Sequence, residues 1–195
     1  MNRQILHHYI EEYKSNFETV NQYEIYKWKA VKCFQDNWNI DARNFYEMLA
    51  SSFVLTKNLM DSGQYFPLRM LLQYTERRPE DVRSLFRNLY NEDEDLYGRM
   101  NSFQIGINAI HKDYFQNKSS YQDRRAVVVY LTLQYPERYF FYKFEMFKQF
   151  SSILDLTYTP IKGRIENIGH FNSICELIRH ELSLDQQLLK LHKDR

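Results

Sequence analysis

Residues 123–150, DRRAVVVYLTLQYPERYFFYKFEMFKQF, constrain the fold of this chain more than any other stretch. Asp123 stands ahead of Arg124 and Arg125, and an apolar run follows from Ala126 to Leu133 until Pro136 stops it. Residues 138–143 are aromatic and strand-prone. From Phe144 the period changes, and Phe144, Phe147, Phe150 and Leu154 fall on one helical face. The reading is helix, Pro-punctuated turn, short extended segment, helix. Nothing in it resembles a catalytic motif.

The rest of the chain favours the same helical class. Only 5 Gly and 4 Pro stand against 16 Tyr and 14 Phe, so breakers are few and regular elements long. Residues 2–17 are amphipathic, with Ile5, Leu6, Tyr9, Ile10, Tyr13 and Phe17 at helical spacing. Residues 23–37 repeat the pattern through Tyr23, Tyr26, Ala30, Cys33 and Phe34, and Trp38 and Ile40 follow in a connection. Asp41 is read as the cap of a helix over 42–56, with Phe45, Met48, Leu49, Phe53 and Leu55 in the core. Asp61-Ser62-Gly63 is a turn that delivers Tyr65-Phe66, and Pro67 suits the first turn of the helix beyond it.

Pro79 opens another helix, with Glu80 and Asp81 at its positive end, Val82, Leu85, Phe86 and Leu89 inside, and Arg83 and Arg87 outside. The acidic run 91–95 is expected to be a solvated cap for a helix over 96–114, and 117–122 a polar loop. Pro160, Gly163 and Gly169 suggest an excursion or hairpin over 157–168 with a turn at Lys162-Gly163. Asn172 or Ser173 then caps a last helix through Leu191. The expected fold is mainly α, a multi-helix bundle with a small β element around 138–143. The expected organisation is a helical recognition domain over 1–154, followed by 155–195, an excursion and helix that pack on it or lead to a further module.

Composition excludes several functions. The net charge is +1, too small for a general nucleic-acid coat, although local basic patches remain open. Cys33 and Cys175 form no CxxC pair and are expected to be free thiols in a reducing compartment. No apolar run approaches the roughly 18 residues of a membrane span, and the N-terminus is too polar for a signal peptide. The expectation is a cytoplasmic protein with no membrane contact. No phosphate-binding glycine loop, nucleophile elbow or zinc-protease helix is present. His7 and His8 are adjacent and diverge on a helix, so they do not pair on a metal. No cofactor, metal or catalytic residue is expected.

What remains is aromatic and basic residues interleaved. Trp28 lies beside Lys29, Tyr65-Phe66 precede Arg69, Tyr121 precedes Arg124 and Arg125, and Lys143 ends the aromatic run. Rings stack bases and cations hold phosphates, but the same mixture also builds a Tyr-rich core with Lys at its rim. Tyr65 and Tyr121 sit on loops, where binding residues concentrate.

The ordered set of motifs resembles the N-terminal domains that precede McrB-like AAA+ motors of modification-dependent restriction systems. It comprises Tyr26-Lys27-Trp28-Lys29-Ala30-Val31-Lys32, then Phe34-Gln35-Asp36-Asn37-Trp38-Asn39-Ile40-Asp41, Asn58-Leu59, Tyr65-Phe66-Pro67 and Met70. It continues through Pro79, Val82-Arg83, Leu85-Phe86-Arg87-Asn88-Leu89-Tyr90, Tyr121-Gln122, Tyr130-Leu131, Tyr135-Pro136-Glu137-Arg138-Tyr139 and Tyr142-Lys143. The resemblance implies a DNA-specificity module, often for a modified or methylated base, that serves a GTPase or ATPase module and a separate nuclease subunit. It implies no enzymatic activity in this chain, which lacks the phosphate-binding motif of the motor and ends at Arg195. The resemblance assigns no functional residues. The alternatives are an assembly domain that docks a partner or orders an oligomer, and a nuclease with dispersed carboxylates.

Overall fold

A computed structural model describes residues 1–115 and 118–193. Asn117, at the head of the expected polar loop, and Arg195 lie outside the described residues. In chain order the helices are α1 (Arg3–Ser15), α2 (Phe17–Asn37), α3 (Phe45–Ser52), α4 (Lys57–Met60), α5 (Pro67–Arg77) and α6 (Pro79–Leu89). Then come α7 (Leu96–Tyr114), α8 (Arg124–Gln134), α9 (Phe144–Ile153), α10 (Glu166–Ser183) and α11 (Gln186–Lys193). The fold is a helical bundle. No helix among the described residues is long and apolar enough to cross a membrane.

The helices divide between two compact units. One comprises Met1–Ile25 with Tyr142–Arg195, and the other Tyr26–Phe141. The boundaries between them fall within α2 and after Phe141. Cys33 and Cys175 are both free thiols.

The unit over Tyr26–Phe141 is built on aromatic rings. Phe34, Phe45, Phe53, Phe86, Phe103 and Tyr130 are buried. Trp38 is their hub: it stacks on Phe34 at 4.9 Å between centroids and meets Phe86 at 5.2 Å and Tyr90 at 5.6 Å. A residue that reads as part of a connection therefore organises the core. The antiparallel pair α6 and α7 packs closely because Gly106 has no side chain, and a Cβ there would stand 2.3 Å from Leu85 Cδ2.

Several polar expectations are corrected in this unit. Asp41 does not cap α3. Asn44 does so through Glu47 N at 3.2 Å, while Asp41 accepts from Arg87 at 2.5 Å. Leu55 is half exposed, since α3 ends at Ser52, and Tyr23 is 75% exposed. Arg83 is buried, not outside. Its guanidinium donates to the carbonyls of Ile40 and Ala42 and to Glu80, closing the chain before α3 onto α6.

Nor is the acidic run wholly solvated. Asp95 caps α7 through Gly98 N at 2.8 Å, but Glu92 accepts from Arg99 at 2.6 Å and from the Tyr139 hydroxyl at 3.0 Å. Arg138 pairs with the same carboxylate at 2.6 Å. Those side chains hold residues 138–141 without a strand partner, so the expected β element at 138–143 does not form. The sole β pairing among the described residues is an isolated bridge between Ser62 and Tyr65.

The other unit closes over a small apolar core of Leu6, Ile10, Leu154 and Leu188. Asn2 caps α1 through Ile5 N, and its own N–H donates to Leu154 O at 2.7 Å. The hairpin expected over 157–168 is absent. The turn at Lys162-Gly163 exists, with Gly163 at φ +82°, but α10 already starts at Glu166. Buried Asn167 pins the excursion: its amide donates to Ile161 O at 2.7 Å, and its carbonyl accepts from the Tyr158 hydroxyl at 2.8 Å. The last helix breaks at Leu184, and Asp185 caps α11 through Leu188 N at 2.9 Å.

Candidate nucleic-acid interface

Two short segments bring the loop-borne aromatics together. The first leaves α4 through a turn closed by Ser62 N donating to Tyr65 O at 2.9 Å and Tyr65 N to Ser62 O at 3.0 Å. Gly63 supplies the left-handed residue, φ +57°, that this turn needs. Asp61 accepts from Leu68 N at 3.0 Å and so caps α5, with Pro67 as its first residue. Tyr65 and Phe66 project from the short link between these fixed points.

The second segment, 119–123, leads into α8. Gln122 is buried at 2% exposure: its amide donates to Pro67 O at 2.7 Å, and its side-chain carbonyl accepts from the Tyr130 hydroxyl at 2.7 Å. That anchoring holds Tyr121 at φ +53°, a left-handed conformation that bulky residues rarely adopt. Tyr121 is half-buried, and backbone strain of this kind clusters at functional sites. Asp123 caps α8 through Ala126 N at 3.0 Å, and the same oxygen accepts from the Tyr65 hydroxyl at 2.6 Å.

Tyr121 is the middle ring of three. It meets Tyr65 edge-on at 5.9 Å and Phe66 edge-on at 5.8 Å. Arg69, exposed on α5, lies over the Phe66 ring at 4.2 Å, and Arg125 lies over the Tyr65 ring at 4.8 Å. Burial and the Asp123 carboxylate both raise the Tyr65 phenol well above its ordinary range, so it remains a protonated donor. The cluster holds planar cations and ring edges, and its one hydroxyl beside a carboxylate, Tyr65 on Asp123, is held protonated. Among the described residues no group of three or more His, Cys, Asp or Glu could hold a metal. Cations placed over rings can hold anions and planar groups.

Of the sequence-derived candidates, Tyr65, Phe66, Arg69, Tyr121 and Arg125 come together in the unit over Tyr26–Phe141. Arg124 is half-buried on the first turn of α8, next to the cluster in sequence. Trp28, 54% exposed, and Lys29, also exposed, stand on α2. Lys143 is exposed at the head of α9 and belongs to the other unit. Sequence reasoning missed Gln122 and Asp61, which position the two segments. Gln122 reads as one more polar loop residue, because both partners of its side chain are tertiary.

Comparison with known proteins finds no matching family model, no similar curated protein and no similar solved structure.

Proposed function

We propose that the chain is a DNA-recognition module without catalysis of its own, reading a modified base in duplex DNA for a separate AAA+ motor and nuclease in the cytoplasm. The observation that carries this reading is the convergence of Tyr65, Phe66 and Tyr121 from two anchored segments, with Arg69 and Arg125 stacked on two of the rings. A guanidinium held over a ring is pre-organised for bidentate contact with phosphate or guanine and leaves an outer face on which a base could stack. The resemblance of the ordered motifs to McrB-like specificity domains supports the same reading. The test is fluorescence anisotropy at two salt concentrations. Its probes are duplexes bearing cytosine, 5-methylcytosine, 5-hydroxymethylcytosine or N6-methyladenine, and a single strand. Preference for one modified duplex, weakened by salt, is the expected result. Tyr121→Asn keeps a residue tolerant of the left-handed backbone and removes the ring. It should cost about 1–3 kcal/mol of binding, the worth of one stacked base. No binding of any probe at low salt overturns the proposal.

A second reading, an assembly domain, is favoured by the C-terminal helices. Leu177 on α10 and Leu184 at the end of that helix are 52% and 64% exposed, an apolar pair that a partner would cover. Light scattering across a concentration series decides it: a monomer throughout, with or without Leu184→Glu, removes self-assembly.

A further inference from the structure

The three-ring cluster stands at the N-terminal end of α5, and the exposed face of that helix leads away from it. Arg69, Gln73 and Arg77 follow one another at i, i+4 and i+8 along this face, over about 12 Å at the helical rise. At the far end, Arg77 lies 4.8 Å over the Phe115 ring and 5.9 Å over the Tyr114 ring, and Lys118 lies 5.3 Å over Phe115. Tyr114 is 45% exposed. Cations lie over rings at both ends of one helix face.

The segment 118–122 joins the two ends along α5. His111 Nε2 hydrogen-bonds the Lys118 carbonyl at 2.8 Å, and the Tyr74 hydroxyl, bonded to His111 Nδ1 at 2.8 Å, reaches the Ser120 carbonyl at 3.5 Å. Gln122 closes the other end on Pro67. Charge runs the same way. Among the described residues neither Arg69 nor Lys118 has a carboxylate partner, and Arg77 meets only Glu76, at 3.6 Å. The neighbouring Arg78 is spent on Asp81 at 2.5 Å and Asp113 at 3.7 Å. Glu76 is the one acidic group on this face of α5.

We infer that the surface does not stop at the three-ring cluster. It runs along α5 to Arg77, Tyr114 and Lys118, and this strip holds the sugar–phosphate backbone of DNA flanking the base that the cluster reads. One strand of a duplex carries a phosphate every 3.4 Å of axis, so about 12 Å of helix spans roughly three to four phosphates. Aromatic-backed cations at both ends fit a polyanion that lies along the helix. A small anion bound at one point would need only one of them. The inference rests on the DNA reading above.

The experiment measures duplex affinity by anisotropy between 50 and 200 mM salt for the intact chain, Arg69→Gln, and Arg77→Gln with Lys118→Gln. Each lost phosphate contact lowers the salt slope by about 0.9, so the double variant should lose about 1.8 of slope, and the factor by which its affinity falls from 50 to 200 mM should be roughly 12-fold smaller. Its preference among modified bases should be unchanged. Arg77→Lys keeps the charge and should restore the slope of that position. A slope unaltered in the double variant while Arg69→Gln lowers it overturns the strip and leaves the DNA reading standing. A slope that Arg77→Lys fails to restore places the loss in packing on Phe115 and also overturns the strip. No binding by the intact chain removes the DNA reading and the strip with it.

Discussion

Gln122→Leu tests whether the segment bearing Tyr121 is held by the buried amide. Leu approximates the volume but removes both side-chain hydrogen bonds, the 2.7 Å donation to Pro67 O and the 2.7 Å acceptance from the Tyr130 hydroxyl. Tyr130 is fully buried, and its phenol is held well above its ordinary range by burial, so its O–H has no water to turn to. Each buried group left unpaired costs about 1–3 kcal/mol, which makes the single change worth about 2–6 kcal/mol. For a chain of this size that lowers the melting temperature by roughly 5–20 °C. Urea denaturation of Gln122→Leu, Tyr130→Phe and the double variant forms the assay. Tyr130→Phe alone strands the Gln122 carbonyl. In the double variant both partners are apolar, so its cost should fall short of the sum of the single changes by about 1–3 kcal/mol. Additivity within about 0.5 kcal/mol would refute the reasoning, because it would mean that the two side chains do not depend on each other.

Arg83→Leu should destabilise by about 3 kcal/mol in urea melts, since it strands the Ile40 and Ala42 carbonyls that the buried guanidinium satisfies. The Cys175 thiol is pushed up to about 12 by burial, with Glu176 adding to the shift. At pH 8 its thiolate fraction is therefore about a thousandfold below that of a free cysteine, and alkylation followed by mass spectrometry should find Cys175 unreacted when a free thiol is complete. Asp185 is held below the ordinary carboxylate range by the Lys14 ammonium at 2.8 Å and by Leu188 N–H. A depressed carboxyl stabilises above its unfolded pKa, and that stability fades as pH falls through the folded value. Acid titration should accordingly show a limb below about pH 4 that Asp185→Asn removes.

Local signals in the sequence translated directly. Pro67 and Pro79 stand at first helical positions, and Asp95, in the run read as a cap, caps the helix it precedes. Each depends on groups within about one turn, so spacing alone reveals it. The misread residues depend on partners far along the chain. Arg83 looks like an outer charge one turn from Arg87, but its carbonyl partners lie 41 and 43 residues away. Glu92 looks solvated until Arg99 and Tyr139 are folded onto it. Trp38 has no periodic place at all and becomes the aromatic hub. The candidate site follows the same division. Tyr65, Phe66 and Tyr121 were legible as loop aromatics beside cations. Their convergence was not, because it depends on Gln122 reaching Pro67 across 55 residues.

A net charge of +1 weighs less against an anionic partner once the carboxylates are placed. Asp61, Asp95, Asp123 and Asp185 face backbone N–H groups at helix starts, where the helix dipole favours them. Glu92, Glu80 and Asp81 are taken up by Arg99, Arg83 and Arg78. A donor lies against each of those acids. Arg69, Arg125 and Lys118 instead lie over rings, and among the described residues none has a carboxylate partner. Ring stacking fixes a cation's position without cancelling its charge, whereas an ion pair does both. A total near zero therefore leaves Arg69 and Arg125 charged beside the three rings and Lys118 charged at the far end of α5. On the proposed DNA reading, cations placed this way would give selective, salt-sensitive attachment at a few phosphates and none of the general adhesion of a uniformly basic chain.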